Sequence, residues 1–204
     1  MKKFLVLGLA MLAFGIVPVS AKLGDPDPQE NITTKTQFRD QIRDARTQAK
    51  EALQIRLQTI RDERKQQQVQ KLSDRLCETN ESRVGVMEKH LAKMEQMLLR
   101  IEGIAAERET AGKDITAVTS AIVSARSVIT TARTAVQTQA GRDCVLIISG
   151  SETSLGTEVN GAINRLHVQL KAVNQNITAA REATRKAIQE LAKVMGEKQG
   201  GVEE

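Results

Sequence analysis

Residues 87–136 read MEKHLAKMEQMLLRIEGIAAERETAGKDITAVTSAIVSARSVITTARTAV, and the spacing of their apolar positions decides the fold. Met87, Leu91, Met94, Leu98, Ile101 and Ala105 alternate four and three residues apart, which puts one narrow stripe on a helix. Ile115, Val118, Ile122, Ala125, Ile129, Ala132 and Val136 do the same on a second helix. Facing layers of an antiparallel pair have position numbers with a constant sum. Met87 with Val136, Leu91 with Ala132, Met94 with Ile129, Leu98 with Ala125, Ile101 with Ile122 and Ala105 with Val118 all total 223. The chain therefore folds back between Ala111 and Gly112. The turn chemistry agrees: Gly112 can take the left-handed conformation that ends a helix, and Asp114 suits the N-cap of the next.

Working outward, Phe38, Ile42, Ala45, Ala49, Leu53, Leu57 and Ile60 form an upstream stripe, and no Gly or Pro falls between Thr34 and Val84. Thr34 with Gln37 has the spacing of a capping box, so one helix is expected from residue 34 through the first arm. RDERKQQQVQK at 61–71 is a polar weak spot in its seam. Downstream, Val159, Ile163, Leu166, Leu170, Val173, Ile177, Ala180, Thr184, Ala187, Leu191 and Val194 keep the same period. Ile60 with Ile163, Leu57 with Leu166 and Leu53 with Leu170 again total 223. The expected fold is all-α: a long antiparallel coiled-coil helical hairpin over residues 34–196, with the same hairpin doubled into a four-helix bundle as the alternative. Doubling back requires reversals near 73–84 and 141–156, and only the second stretch carries glycines. The two-in-seven stripe favours the extended hairpin. An Ala-rich two-stranded seam buries little area, which leaves self-association open.

Before the helical region, Lys2 and Lys3, the apolar run from Phe4 to Val17, Pro18 and the small residues Val19-Ser20-Ala21 have the layout of a secretory signal peptide over residues 1–21. The apolar run is shorter than the roughly 20 residues a spanning helix needs, so an uncleaved anchor is the second choice. Residues 22–33, with Pro26 and Pro28, are expected as an extended leader, and residues 197–204 as a flexible tail. The implied localisation is export, to a periplasmic, cell-surface or extracellular place, with no transmembrane segment after cleavage.

Losing Lys2 and Lys3 takes 30 basic residues to 28 against 25 acidic ones, a net charge of +3 that does not argue for nucleic acid. Of the three Phe residues only Phe38 lies outside the expected signal peptide, so stacking of bases or sugars has little to work with. Basic residues concentrate between 34 and 76. Arg39, Arg43, Arg46, Arg56, Arg61, Arg64 and Lys65 form a candidate contact face for anionic lipid, cell-wall polymer or an acidic protein, with an ordinary solvated face as the plainer account.

Cys77 and Cys144 are the only cysteines, and their numbers total 221, within local adjustment of 223. With an export signal, this predicts a disulfide clamping the hairpin; unpaired or intermolecular thiols are the alternative. His90 and His167 are placed far apart by the 223 register and hold no metal together. Met87 and Met94 fall on core positions, so packing accounts for them better than a soft client surface that also used Met97. The tripeptides starting at Asn31, Asn80 and Asn176 fit the glycosylation pattern, a match that short tripeptides make by chance. No phosphate loop, nucleophile motif or Cys/His metal spacing is present, so no catalytic, cofactor-binding or metal residue is expected and no cofactor is implied.

KLSDRLCETNESRVGVMEKHLAKMEQMLLRIEGIAA (71–106) followed by AGKDITAVTSAIVSARSVITTARTAV (111–136) resembles uncharacterised secreted helical coiled-coil proteins of bacterial candidate phyla, the Patescibacteria. That resemblance covers residues 70–195 and implies no activity. By architecture the chain is also similar to the periplasmic Skp/OmpH chaperones, without a motif of theirs to carry over. The expected function is a non-enzymatic spacer, scaffold or interaction element of the cell envelope, with a holdase-type chaperone as the alternative. Its partner would be another protein or an envelope component, or a further copy of itself.

Overall fold

The computed structural model describes residues 28–196, with side-chain surroundings from residue 36. It is all-α. Four helices follow in order: α1 (Pro28–Leu57), α2 (Glu63–Thr110), α3 (Thr116–Ala140) and α4 (Leu155–Gly196). The chain divides into two compact units, Met1–Gln37 and Phe38–Glu204. Of the first, only the helical run 28–37 is described. The expected signal peptide and tail, and residues 22–27 of the expected leader, lie outside the described residues. Residues 28–33, also expected as leader, are the first turns of α1. Pro28 opens that helix, where its missing N–H costs nothing, so Thr34 lies inside a helix and caps none.

In the second unit, α2 and α3 make the antiparallel hairpin. Ala111 ends α2, and Gly112 takes φ of 78°. The reversal satisfies the last carbonyls: Gly112 N–H donates to Glu109 O at 2.8 Å and Lys113 N–H to Arg108 O at 3.0 Å. Asp114 Oδ1 accepts from Thr116 N–H at 2.9 Å and so caps α3. Every expected layer residue from Met87 to Ala105 and from Val118 to Val136 is buried. Arg126 to Glu102 and Arg133 to Glu95 are ion pairs across the flank of the same seam.

α4 does not pair outward with α1 as the 223 register expected. Residues 141–154 reverse the chain, and α4 returns antiparallel to α3 and parallel to α2, its buried positions joining the hairpin's core. Five buried α4 positions of this core stand 86 residues beyond buried α2 positions of the same core: Met87 with Val173, Leu91 with Ile177, Met94 with Ala180, Ile101 with Ala187 and Ala105 with Leu191. Small residues make this close approach feasible. Ala125, Ala132, Ala180 and Ala187 are each 0% exposed, one in each of four successive layers opposite Leu98, Leu91, Met94 and Ile101. Thr184, at 2% exposed, completes the Leu98 layer and donates its hydroxyl to Ala180 O at 2.9 Å, so no polar atom is left wanting. The alanine content that suggested a weak two-stranded seam is the complement of the third helix. Ile163, expected on the stripe, falls off it and is 39% exposed.

The single first helix is also broken. Residues 58–62 turn the chain between α1 and α2 without Gly or Pro, at the edge of the polar patch rather than at 73–84. Asp62 caps α2, its Oδ1 accepting from Arg64 N–H at 2.9 Å and Lys65 N–H at 3.3 Å. The first three N–H groups of the turn bond back to α1 carbonyls, and the last two find a distant partner, since Glu152 Oε1 accepts from Arg61 N at 2.9 Å and Asp62 N at 3.3 Å. From residue 38 on, α1 lies antiparallel to the start of α2, with Lys50 paired to Asp74 at 3.0 Å and Gln54 to Gln70 at 2.6 Å. Leu53, Leu57 and Ile60 enter a second core with Val69, Leu76, Leu146, Ile148 and Leu155. Here the reversing segment after α3 stands where a helix stands in the first core.

Candidate functional site

The most specific chemistry lies where the two cores meet, at the end of α3. Cys77 of α2 and Cys144 of the reversing segment form a disulfide, with Cα atoms 4.9 Å apart. Both are nearly enclosed, at 7% and 8% exposed. The bridge is one of several ties on this segment. Leu146 N–H donates to the buried Ser73 Oγ at 3.1 Å, Arg56 Nη1 donates to Ile148 O at 2.5 Å, and Thr59 Oγ1 donates to Gly150 O at 3.1 Å. Gly150 has φ of 89°, and a Cβ there would stand 2.5 Å from Thr59 Oγ1, so glycine is required twice over.

One turn from the disulfide, Asn80 and Gln139 face each other inside the protein, each 1% exposed. Gln139 Nε2 donates to Asn80 Oδ1 at 2.9 Å, and Asn80 Nδ2 donates to Gln139 O at 3.3 Å. Gln139 Oε1 is left without a partner. A buried amide oxygen in that state costs free energy, about 1–3 kcal/mol by mutational measure, unless something else donates to it. Gln139 lines a cavity of ≈ 270 Å³ bounded by the disulfide end of α2, the reversing segment and the first turns of α4. Arg142, Asp143 and Arg165 stand around it, and Leu76 and Leu166 give it apolar walls. The burial of Asn80 also closes one of the three Asn tripeptides to modification.

A wider groove of ≈ 790 Å³ separates α1 from α2. Arg39, Arg43, Arg46 and Lys50 stand along one wall and Asp74, Glu78, Glu81 and Glu88 along the other, over a floor that includes Ile42 and Val84. This is where part of the expected basic face went. Arg46 pairs with Glu81, and burial pulls its guanidinium below the ordinary value while the nearby Asp143 opposes that. Arg56 is spent on the Ile148 carbonyl, and Lys65 on Glu152 at 3.4 Å. Arg43 stays on the surface, paired loosely within α1 to Asp40 at 3.2 Å. The seven residues thus split between two sides of the α1 turn and its packing surface.

His90 and His167 are both exposed, on α2 and α4. The observed register sets them only about nine residues apart in level, roughly 14 Å at 1.5 Å per residue, much nearer than the 223 pairing implied. Among the described residues no group of three His, Cys, Asp or Glu side chains is placed to hold a metal. Met87 and Met94 are buried as expected, and Met97 is 39% exposed. Nothing in the sequence pointed to Gln139, which reads as a polar flanking position; its partner Asn80 stands four residues, about one turn, from the position that the 223 register sets opposite it. Comparison of the chain with protein-family models, with curated proteins and with solved structures finds no match in any of the three.

Proposed function

We propose that this chain is an exported, non-enzymatic helical scaffold of the bacterial cell envelope that works through contacts on its outer helix faces. The observation that carries this is the clamp: a three-helix core tied by a disulfide and a set of cross-segment hydrogen bonds to a second core built on α1. Such crosslinks persist in oxidising compartments and suit a domain that must keep its shape outside the cytoplasm. Among the described residues no helix is long and apolar enough to cross a membrane. Apolar side chains that the cores do not use, Leu99 at 61%, Val123 at 63% and Val168 at 64% exposed, are spread over three helices and offer contact points of the ordinary surface kind.

A holdase role draws less support, because Arg46, Arg56 and Lys65 are occupied within the chain and Met87 and Met94 are packed. The deciding experiment has two arms. Expression in an export-competent bacterium, with N-terminal sequencing and thiol trapping, should give a mature start at Lys22 and no alkylatable cysteine. Mixing that protein with an unfolding client should leave light scattering unchanged. Retention of residues 1–21 with free thiols would overturn the exported scaffold, and suppression of aggregation near stoichiometry, lost in high salt, would replace it by the chaperone.

A further inference from the structure

We infer that the outer face along the α2–α4 seam binds the surface of an anionic lipid bilayer. The charges of α2 are sorted by side. Asp74, Glu81, Glu88, Glu95, Glu102 and Glu109 follow one another at steps of seven, an unbroken acidic column on one flank of the helix. Four of them are used inside the chain, Asp74 and Glu81 by Lys50 and Arg46 of α1, Glu95 and Glu102 by Arg133 and Arg126 of α3. The opposite flank of α2 borders α4, as at Leu72, which shares a small apolar hollow with Gly156 and Val159. Along that flank, at steps of three and four, stand Arg83, Val86, His90, Lys93, Met97, Arg100 and Ile104, with no acid among them.

The facing flank of α4 is of the same kind. Its α3 side is marked by Ala172, Ala179, Ala183 and Glu190, which line the grooves between those two helices. On its other side Arg181, Arg185, Ile188, Ala192 and Met195 run beside α2, again without an acid. Arg83, Lys93, Arg100, Arg181 and Arg185 are all exposed, and among the described residues none of them forms an ion pair. Parallel coiled helices ordinarily set opposite charges across such a seam, and here both sides are basic, so the complement lies outside the chain. The face is apolar as well: Val86, Met97, Ile188 and Met195 are between 39% and 53% exposed. A lipid surface answers both features, since guanidinium forks hold phosphates while apolar side chains enter the headgroup boundary. A soluble polyanion would leave the apolar side chains unused. From Arg83 to Ile104 the strip runs roughly 32 Å at 1.5 Å per residue, long enough to meet several headgroups. The inference rests on the scaffold reading for its compartment alone: vesicle binding by the purified chain stands or falls without it.

The test is cosedimentation of the oxidised chain beginning at Lys22 with vesicles. Phosphatidylcholine containing about 30% phosphatidylglycerol should bind it at low salt and release it at high salt, and phosphatidylcholine alone should not bind it. Reversing Lys93, Arg100 and Arg185 together to Glu should lower the affinity by ~100-fold or more, at about fivefold or more per residue. Reversing Arg39, Arg43 and Arg61 makes the same change of charge on the α1 side and should cost less than about fivefold. Val86→Ser with Ile188→Ser should weaken vesicle binding by about tenfold while leaving the charge unchanged. All these side chains are exposed, so the melting temperature should hold; Gln in place of Glu gives a milder series where a reversal lowers it. Failure to bind the anionic vesicles, equal binding to neutral ones, equal losses from the two reversals, or an unaffected Val86/Ile188 variant would each overturn the face. Polyglutamate binding as tightly as the vesicles would also overturn it, in favour of an acidic protein partner.

Discussion

Replacing Cys77 and Cys144 together by Ala tests how much of the stability the clamp supplies. Alanine avoids adding a buried hydroxyl, since both positions are under 10% exposed. The bridge spans 67 residues, and loop-closure entropy for that span is worth about 4 kcal/mol at 25 °C, within the roughly 2–5 kcal/mol usual for a native disulfide. For a domain of this size that corresponds to a loss of about 8–16 °C in melting temperature. Urea unfolding of the oxidised chain and the double variant, compared at equal slope, measures it. The structure adds a local expectation. Leu146 N–H reaches Ser73 only while residues 144–148 lie on α2, so its amide should exchange faster in the variant while the amides of Leu98 and Ile129 follow global unfolding alone. A stability loss below about 1 kcal/mol, or unchanged protection at Leu146, would refute the clamp, because the remaining contacts would then hold the segment unaided.

Three further outcomes follow from particular residues. Gly150→Ala combines a left-handed φ with a 2.5 Å approach to Thr59 Oγ1 and should cost about 1–3 kcal/mol in chemical denaturation; Gly85→Ala, open around its Cβ, serves as the harmless control. Leu98→Ala removes a side chain 1% exposed in the middle of the three-helix core and should cost about 2–5 kcal/mol, against less than about 0.5 kcal/mol for Leu99→Ala next door at 61% exposed. Acid should loosen the α1–α2 turn. Glu152 is held below the usual carboxylate range by the backbone N–H groups of Arg61 and Asp62 and then by Lys65, and Asp74 by Lys50. Because these folded-state values are depressed, their stabilisation is fully present above the unfolded carboxylate range and is lost as pH falls through the folded values. The melting temperature should be flat from pH 7 to about 5 and drop below about 4, with a shallower drop in Glu152→Gln.

The α2–α3 hairpin was legible because its information is local: the stripes, the sum of 223 and the Gly112 turn all sit within residues 87–136. The path of α4 was not, for a physical reason. A heptad stripe states that a helix has a partner and not which one, and stripes of equal period meet in several registers, so Leu53 with Leu170 matched 223 without being neighbours in layers. What selects the observed register is the run of Ala125, Ala132, Ala180 and Ala187, which only a third helix fills. The break at 58–62 was hidden differently: the N–H groups of Arg61 and Asp62, which local carbonyls do not take, are satisfied by Glu152, about ninety residues away, so no nearby Gly or Pro was needed. Of the candidate site, the cysteine pair was readable from position numbers, whereas Gln139 acquires its meaning only opposite Asn80. The basic residues were read as one face because charge shows in sequence and ion pairing does not.

The central claim is that α4 runs beside α2 with the offset of 86, and one distance tests it. Spin labels on keto-bearing residues introduced at the exposed positions Leu99 and Arg185 leave the disulfide untouched and stand at the same level. Side by side, helices 8–10 Å apart put such labels within about 25 Å of each other. Had the chain formed the extended hairpin, residue 185 would face residue 38, 61 residues from Leu99 and about 90 Å away at 1.5 Å per residue. A pulsed dipolar distance below about 30 Å is the predicted result; a distance beyond about 60 Å would contradict the three-helix core.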